Sequence, residues 1–328
     1  MTDSDDEENG SEAVRQAVEE SRHGAPAVGA VVRDRFETDE VFQRIVAAAD
    51  DEIDTGIREL FFSALAAGFA ITLTFLMYAS LYGATDGHPI LKALLYPIGF
   101  IYIIIGGYQL YTENTLPPVA LVLERLASIP ALLRVWLIVV IGNFVGGGLG
   151  ALVLAYTGVF SPAAAEAAMS LSQSGLQTPF WDLFFKACAA GFIVAGVVWM
   201  DYASRDTISR LVLIYVAFLC IPLANLFHVV VSFTELMYLF FLGEAALLSG
   251  LTTFILPVLL GNTLGGVLLV TMVNYFQTSE RRRQEVREGQ DVTQLSLGEL
   301  TMGARAGRTY VPVEPDERSY TQRREEED

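Results

Sequence analysis

The chain has 328 residues, 52% of them apolar, and a formal net charge of −17. The acidic balance excludes nucleic acid as a partner, because binding phosphate requires the opposite sign. The apolar residues gather in runs of roughly twenty, which match a bilayer core about 30 Å thick at about 1.5 Å per residue and exclude an ordinary soluble enzyme.

Residues 1–37 open on Asp3, Asp5, Asp6, Glu7 and Glu8. They offer too little apolar surface to fold alone and are expected to form an acidic, disordered cytoplasmic tail. Residues 38–56 place Val41, Phe42, Ile45, Val46, Ala49 and Ile53 at helical spacing with acids between them. That pattern predicts an amphipathic cytoplasmic helix at the membrane surface or against a partner helix. Residues 57–278 are expected to form the membrane domain, with six spans over about 59–82, 91–123, 135–156, 181–200, 211–242 and 254–276. No cleavable signal sequence is expected ahead of the first. Residues 279–328 read as a second charged cytoplasmic tail. The basic residues are arginines apart from Lys92 and Lys186; acidic tails with little lysine fit high salt and fit an ordinary solvated tail as well. Cys188 and Cys220 lie in apolar runs of different spans and are expected to be packing residues. No metal site and no cofactor is expected.

Arginine sets the orientation. Arg125 and Arg134 flank one connection, Arg205 and Arg210 another, and Arg281, Arg282 and Arg283 follow the sixth span, while Lys92 and Lys186 sit at the alternate ends. The positive-inside rule puts both termini in the cytoplasm of a multi-pass protein of the cell membrane.

The sequence also repeats. Leu60 to Phe69 recurs as Leu183 to Phe192, Tyr111-Thr112-Glu113 as Phe233-Thr234-Glu235, and the Gly-Asn-x-x-Gly-Gly block at Gly142-Asn143 as Gly261-Asn262. One interval of about 120 residues serves all three, and three spans per copy force opposite insertion. The fold expected is an all-α integral membrane protein of six helices in a 3+3 inverted repeat. Spans two and five are too long for a simple crossing and are interrupted by polar residues. In span two, Thr112, Glu113, Asn114 and Thr115 precede Pro117 and Pro118; in span five, His228 to Glu235 take that part, with Ser232 or Thr234 as the expected cap. Broken backbone at membrane depth survives where protein buries it or water lines it. Two helix starts converging at the midplane would favour an anion, with His228 as the base beside it. Asn143 and Asn262 are expected to brace the breaks. Glu113 and Glu235, beside the same positive ends, would compete with an anion if ionised and relay protons if protonated, or cap the helices.

At these residues the chain resembles the formate/nitrite transporter family, over about residues 56–277. The marks are Leu110-Tyr111-Thr112 in the first break, the Gly-Asn blocks of spans three and six, Trp199 at the end of span four, and His228 in the second break. The resemblance implies an aquaporin-like protomer with a pore of its own, assembled in lipid as a homopentamer. It implies a Leu-Phe-Thr motif matched by Leu110, Tyr111 and Thr112, and a central histidine, matched by His228, that helps neutralise the passing anion. Hydrophobic slits are implied on either side, with Phe100 and Ile221 placed there by position. Formate channels carry Glu before the histidine and Asn four residues after it, where this chain has Phe227 and Ser232, and they lack counterparts of Glu113 and Glu235. The Tyr-Thr-Glu-Asn-Thr stretch at 111–115 is closer to a divergent branch of the family. The expected function is a channel or transporter for a small monovalent anion such as formate or nitrite, open to proton coupling, and not an enzyme. A conduit for a small neutral solute and a non-transporting scaffold or sensor are the alternatives. The sharpest expectation is that His228 and Thr112 face one another across the two breaks, because a neutral imidazole bonded to a hydroxyl is cheaper to bury than an isolated imidazolium.

Overall fold

The computed structural model describes residues 36–281, 283–284 and 294–303, and among them no strand occurs. Residues 1–35 of the tail expected to be disordered, and most of the charged tail expected over 279–328, therefore fall outside the described residues. Residues 1–37 form one unit, of which Phe36 and Glu37 are described, both without regular structure, and the chain from Thr38 forms a second.

The helices of the second unit are α1 (Thr38–Asp54), α2 (Ile57–Ala84), α3 (Ile98–Gly106), α4 (Pro117–Leu123), α5 (Ile129–Tyr156) and α6 (Pro162–Leu176), followed by α7 (Phe180–Ala203), α8 (Thr207–Leu223), α9 (Val229–Phe241), α10 (Leu247–Gln277) and the short α11 (Leu297–Met302). Four of them, α2, α5, α7 and α10, are long and apolar enough to cross a membrane. The expected second and fifth spans are each two shorter helices, α3 with α4 and α8 with α9, joined by irregular backbone. Local chemistry sets several starts. Ser128 Oγ accepts from the Ala131 amide ahead of α5, Ser161 Oγ from Ala164 ahead of α6, and Asp206 from Ser209 ahead of α8. The Ser128 cap begins α5 six residues before the expected start at 135.

The helix α6 was not expected. It buries Ala164, Ala167, Ala168, Ser172 and Gly175, so its inner face is made of small residues and carries no long apolar run to signal it. α1 buries Val41, Phe42, Ile45, Val46 and Ala49, the stripe read from the sequence. Of the two settings left open for it, partner helices are the one seen: α1 lies on α4, with further contacts to the ends of α7 and α10. Arg134 of α5 donates to the carbonyls of Ile53 in the last turn of α1 and Thr55 just beyond it.

Small residues let the long helices meet backbone to backbone, α2 on α5 and α7 on α10. A Cβ on Gly68 would overlap the Asn143 carbonyl, and one on Gly191 would overlap the Asn262 carbonyl. The pair Gly146 against Leu65 and Gly265 against Cys188 shows the same closeness. α10 widens to π-helix over Leu251–Ile255 and Val267–Met272; in the second stretch Thr271 Oγ1 donates to the Thr115 carbonyl beside α4. Large apolar side chains such as Phe62, Leu137, Trp181, Phe185 and Leu248 are exposed on the outside, as a lipid-facing surface requires. Cys188 and Cys220 are free thiols on α7 and α8.

Candidate functional site

The two irregular joints are built alike. Gly107, after α3, has φ +67°, and Asn225, after α8, has φ +52°. Past each, an amide reaches back five residues: Tyr108 N–H donates to the Ile103 carbonyl at 3.0 Å and Leu226 N–H to the Ile221 carbonyl at 2.9 Å. The match extends past α4 and α9, where Arg125 (φ +59°) and Gly243 (φ +79°) turn the chain and Leu126 and Glu244 donate to Leu121 and Leu239, both at 2.9 Å. Each pair is separated by the same 118 residues.

An asparagine pins each joint. Asn143 Oδ1 accepts from Tyr111 N–H at 2.9 Å, and its Nδ2 donates to the carbonyls of Ala64 at 2.8 Å and Gln109 at 2.9 Å. Asn262 Oδ1 accepts from Val229 N–H at 2.8 Å, and its Nδ2 donates to Ala187 at 2.8 Å and Phe227 at 2.9 Å. These bonds correct three sequence expectations. The cap of α9 is Asn262, reaching in from α10; Ser232 and Thr234 lie inside α9, and Thr234 Oγ1 donates to the Val230 carbonyl. The counterpart of Tyr111 is Val229, one helical turn before Phe233, so Glu113 and Glu235 are not equivalent. A 3₁₀ turn over Glu113–Thr115 precedes α4, whereas α9 starts directly after His228, and matched letters cannot register that difference. Finally, the two helix starts do not donate equally. α4 opens on Pro117 and Pro118 without a side-chain cap, and proline has no N–H, so its first turn keeps one amide, Val119, where α9 has Val230 and Val231 beyond the Asn262-bound Val229.

In this arrangement His228 stands where the first joint has Leu110, and Thr112 where the second has Val230. Thr112 Oγ1 and His228 Nε2 are 2.8 Å apart, both residues being enclosed, with exposures of 0% and 1%. His228 Nδ1 is buried and has no hydrogen-bond partner among the described residues. Phe100 presents its ring edge-on to His228, centroids 4.9 Å apart, and lies flat on Phe218 at 3.9 Å and 16°. Ile221 is fully buried one turn along from Phe218 on α8 and is not part of that stack. Phe218, which the sequence reading missed, is the residue 118 positions after Phe100; carrying the joint's interval back along the spans would have found it. Leu110 is buried in the core. Tyr111 turns away from the Thr112–His228 pair, its hydroxyl 2.7 Å from Thr263 Oγ1 and its ring against Trp136. Asn114 braces the first joint, with Nδ2 on Gln109 Oε1 at 2.8 Å and its carbonyl accepting from Trp136 Nε1 at 2.9 Å.

Carboxyl groups flank the pair on two sides. On the α1 side Glu113 faces Glu52 of α1 and Asp201 at the end of α7, and Asp201 pairs with Arg210 at 3.5 Å. Burial pushes the Glu52 carboxyl up to about 7, against the pull of its hydrogen bond to Gln109. Glu235, two turns into α9, is on the α6 side instead. It lines a cavity of about 60 Å³ together with Tyr78, Tyr96, Ser174, Ser232 and His228. Among the described residues no three metal-ligating side chains come together.

Comparison with known proteins places this geometry. The sequence profile described as "Formate/nitrite transporter" matches residues 39–276. The inner membrane protein YfdC of Escherichia coli K12 is 28% identical over 257 residues, covering 76% of this chain and 82% of its own. Two solved structures share the fold: an "FNT family ion channel" at a TM-score of 0.67 and 21% identity, over 73% of this chain and 99% of its own, and a "pentameric formate channel with formate bound" at 0.56 and 20% identity, over 67% and 96%. A profile match that runs from α1 to the end of α10 spans well over half of the sequence, and the chain belongs to the formate/nitrite transporter family, multi-pass membrane proteins that carry small anions and are not enzymes.

Proposed function

We propose that this chain forms a conduit for formate, nitrite or an anion of similar size, in which Thr112 and His228 make the central site. The observation that carries the reading is their buried 2.8 Å contact at the meeting point of two helix joints. Beside the imidazole the Phe100–Phe218 stack leaves no room for a hydrated ion. An anion arriving there has exchanged its water for the Thr112 hydroxyl, the imidazole and the open amides of α9.

The joints' common 118-residue interval supports two copies of a three-span unit inserted with opposite orientation, both broken at the midplane as in aquaporin-like folds. Arg134 on the α1 side and Lys92 and Lys186 towards α6 support a cytoplasmic α1 and cytoplasmic termini. The relative described as a pentameric formate channel supports a homopentamer, with the exposed apolar faces shared between lipid and neighbouring protomers. Residues 57–278 are then the conducting domain, and α1, seated on α4 with Glu52 on Gln109, partly closes its cytoplasmic mouth.

The deciding experiment is uptake of labelled formate and nitrite into proteoliposomes, with and without a pH gradient. His228→Phe abolishes uptake while the oligomer stays intact, and Thr112→Val weakens it less. A wild type that takes up neither anion above empty liposomes overturns the reading, and a stable monomer or dimer by mass in detergent overturns the pentamer.

A further inference from the structure

The Thr112–His228 pair leaves one half of the imidazole unaccounted for. Nε2 is engaged by the Thr112 hydroxyl at 2.8 Å, while Nδ1 is buried without a hydrogen-bond partner among the described residues. A buried ring nitrogen that nothing satisfies is costly, and ordered water is its usual partner. His228 lines the α6-side cavity, whose roughly 60 Å³ holds a few water molecules. Glu235 lines the same cavity from α9, with an exposure of 7%. Among the described residues no arginine or lysine shares that lining, though Lys92 Nζ stands 5.9 Å over the Tyr78 ring and Lys186 Nζ 5.7 Å over the Phe227 ring; the other ionisable groups on it are Tyr78 from α2 and Tyr96 from the turn before α3. A carboxyl buried with no cation beside it is stable when it keeps its proton.

The cavity is not sealed from the surface. Ser174 of α6 lines it and also lines a polar surface hollow formed with Ser170, Gln173, Gln177, Thr178 and Asp182. Ser174 is thus shared between the hollow on the α6 face and the cavity that holds Glu235 and His228, and neither lining includes Phe100 or Phe218.

We propose that Glu235 is the proton reservoir that charges His228 when an anion occupies the Thr112 side, filled from the α6 face through Ser174. The assignment rests on the reading of Thr112 and His228 as the central site. His228 begins neutral, with its proton on Nε2. As an anion arrives, the O–H bond of Glu235 breaks, a cavity water takes that proton while giving one of its own to Nδ1, and an N–H bond forms there. The resulting imidazolium donates its Nε2–H to the anion beside the Thr112 hydroxyl. The Glu235 carboxylate takes a replacement proton through the hollow, so the occupied site carries no net charge in an apolar interior. When the anion leaves, Nδ1 gives its proton back through the cavity water to the Glu235 carboxyl, which releases the proton it already holds to the hollow. Tyr78 and Tyr96 line the cavity as hydroxyls and supply no charge to the exchange.

The test is formate uptake by the full chain in proteoliposomes, at a fixed internal pH and an external pH varied from acid to alkaline. Glu235→Gln keeps the shape but cannot supply a proton; uptake is expected to fall about tenfold at neutral external pH and to recover as the outside is acidified, when hollow water protonates His228 directly. Glu235→Asp is expected to keep wild-type pH dependence at reduced rate. Ser174→Leu, outside the central site, is expected to shift the profile in the same direction as Glu235→Gln. Gel filtration of each variant checks the assembly. If wild type transports and Glu235→Gln stays within twofold of it at every pH, the reservoir is refuted and the central site stands; so too if Glu235→Asp has lost the pH dependence. If wild type transports neither formate nor nitrite, the central-site reading falls and takes the reservoir with it.

Discussion

Removing the Asn262 side chain tests how the second joint is held, because every polar atom of that amide is used. In Asn262→Ala the Val229 amide loses its acceptor, and the carbonyls of Ala187 and Phe227 lose the donors that held them at 2.8 and 2.9 Å. The site is fully buried, so water does not replace them. A hydrogen bond contributes about 0.5–1.5 kcal/mol net, and stranding a buried partner costs about 1–3 kcal/mol; in membrane helices the average measured value is nearer 0.6 kcal/mol. Three bonds with three stranded groups place the loss at about 2–5 kcal/mol. Asn262→Asp keeps an acceptor for Val229 but turns a carboxylate towards two carbonyls, so it is expected to lose at least as much as alanine. Asn143→Ala breaks the equivalent three bonds at the first joint and is expected to fall in the same range. Unfolding of the detergent-solubilised oligomer, followed by tryptophan fluorescence against denaturant, measures the difference, and uptake reports whether His228 stays in place. Wild-type stability for Asn262→Ala, or a rescue by Asn262→Asp, would refute the idea that the amide holds the joint through both its oxygen and its nitrogen.

Other consequences follow from the same geometry. Gly68→Ala and Gly191→Ala each drive a methyl into a backbone carbonyl across the α2–α5 and α7–α10 contacts; both are expected to reduce the folded yield severely, whereas Gly196→Ala, which meets open space, leaves it unchanged in gel filtration. Phe218→Ala removes one face of the ring stack and is expected to cost about 3 kcal/mol of stability while raising uptake of anions larger than formate; an unaltered size cut-off would count against the stack as a constriction. Glu52 gives a pH dependence on the α1 side: its carboxyl is held at about 7 when docked on Gln109, against 4.5 when free. Docking is therefore at full strength below about pH 4.5, weakens as pH rises, and above 7 has lost on the order of 3 kcal/mol. Uptake should rise with internal pH across that window, and Glu52→Gln, which stays docked throughout, should flatten the rise; an unchanged profile would remove Glu52 from the latch.

The long spans, the buried stripe of α1 and the lone base His228 were legible in sequence because each depends on local information. A run of apolar residues, a 3.6-residue period and one ionisable base in an apolar stretch are properties of neighbouring letters. α6 was not legible, since alanine, serine and glycine bury a helix face without raising its hydropathy. The register between the two joints was not legible either. Phe-Thr-Glu looks like Tyr-Thr-Glu, yet the 3₁₀ turn ahead of α4 and the direct start of α9 set the true interval at 118 residues, and that interval exists as backbone hydrogen bonds at Gly107 and Asn225. Three assignments were therefore left to the tertiary structure. Phe218 became the partner of Phe100, the cap of α9 passed from Ser232 or Thr234 to Asn262, and two glutamates that looked equivalent separated, Glu113 towards Glu52 and Glu235 into the cavity beside His228. The physical reason is the same in each case: the partner lies on another helix, and which residue it meets is decided by how closely the glycine-lined backbones approach.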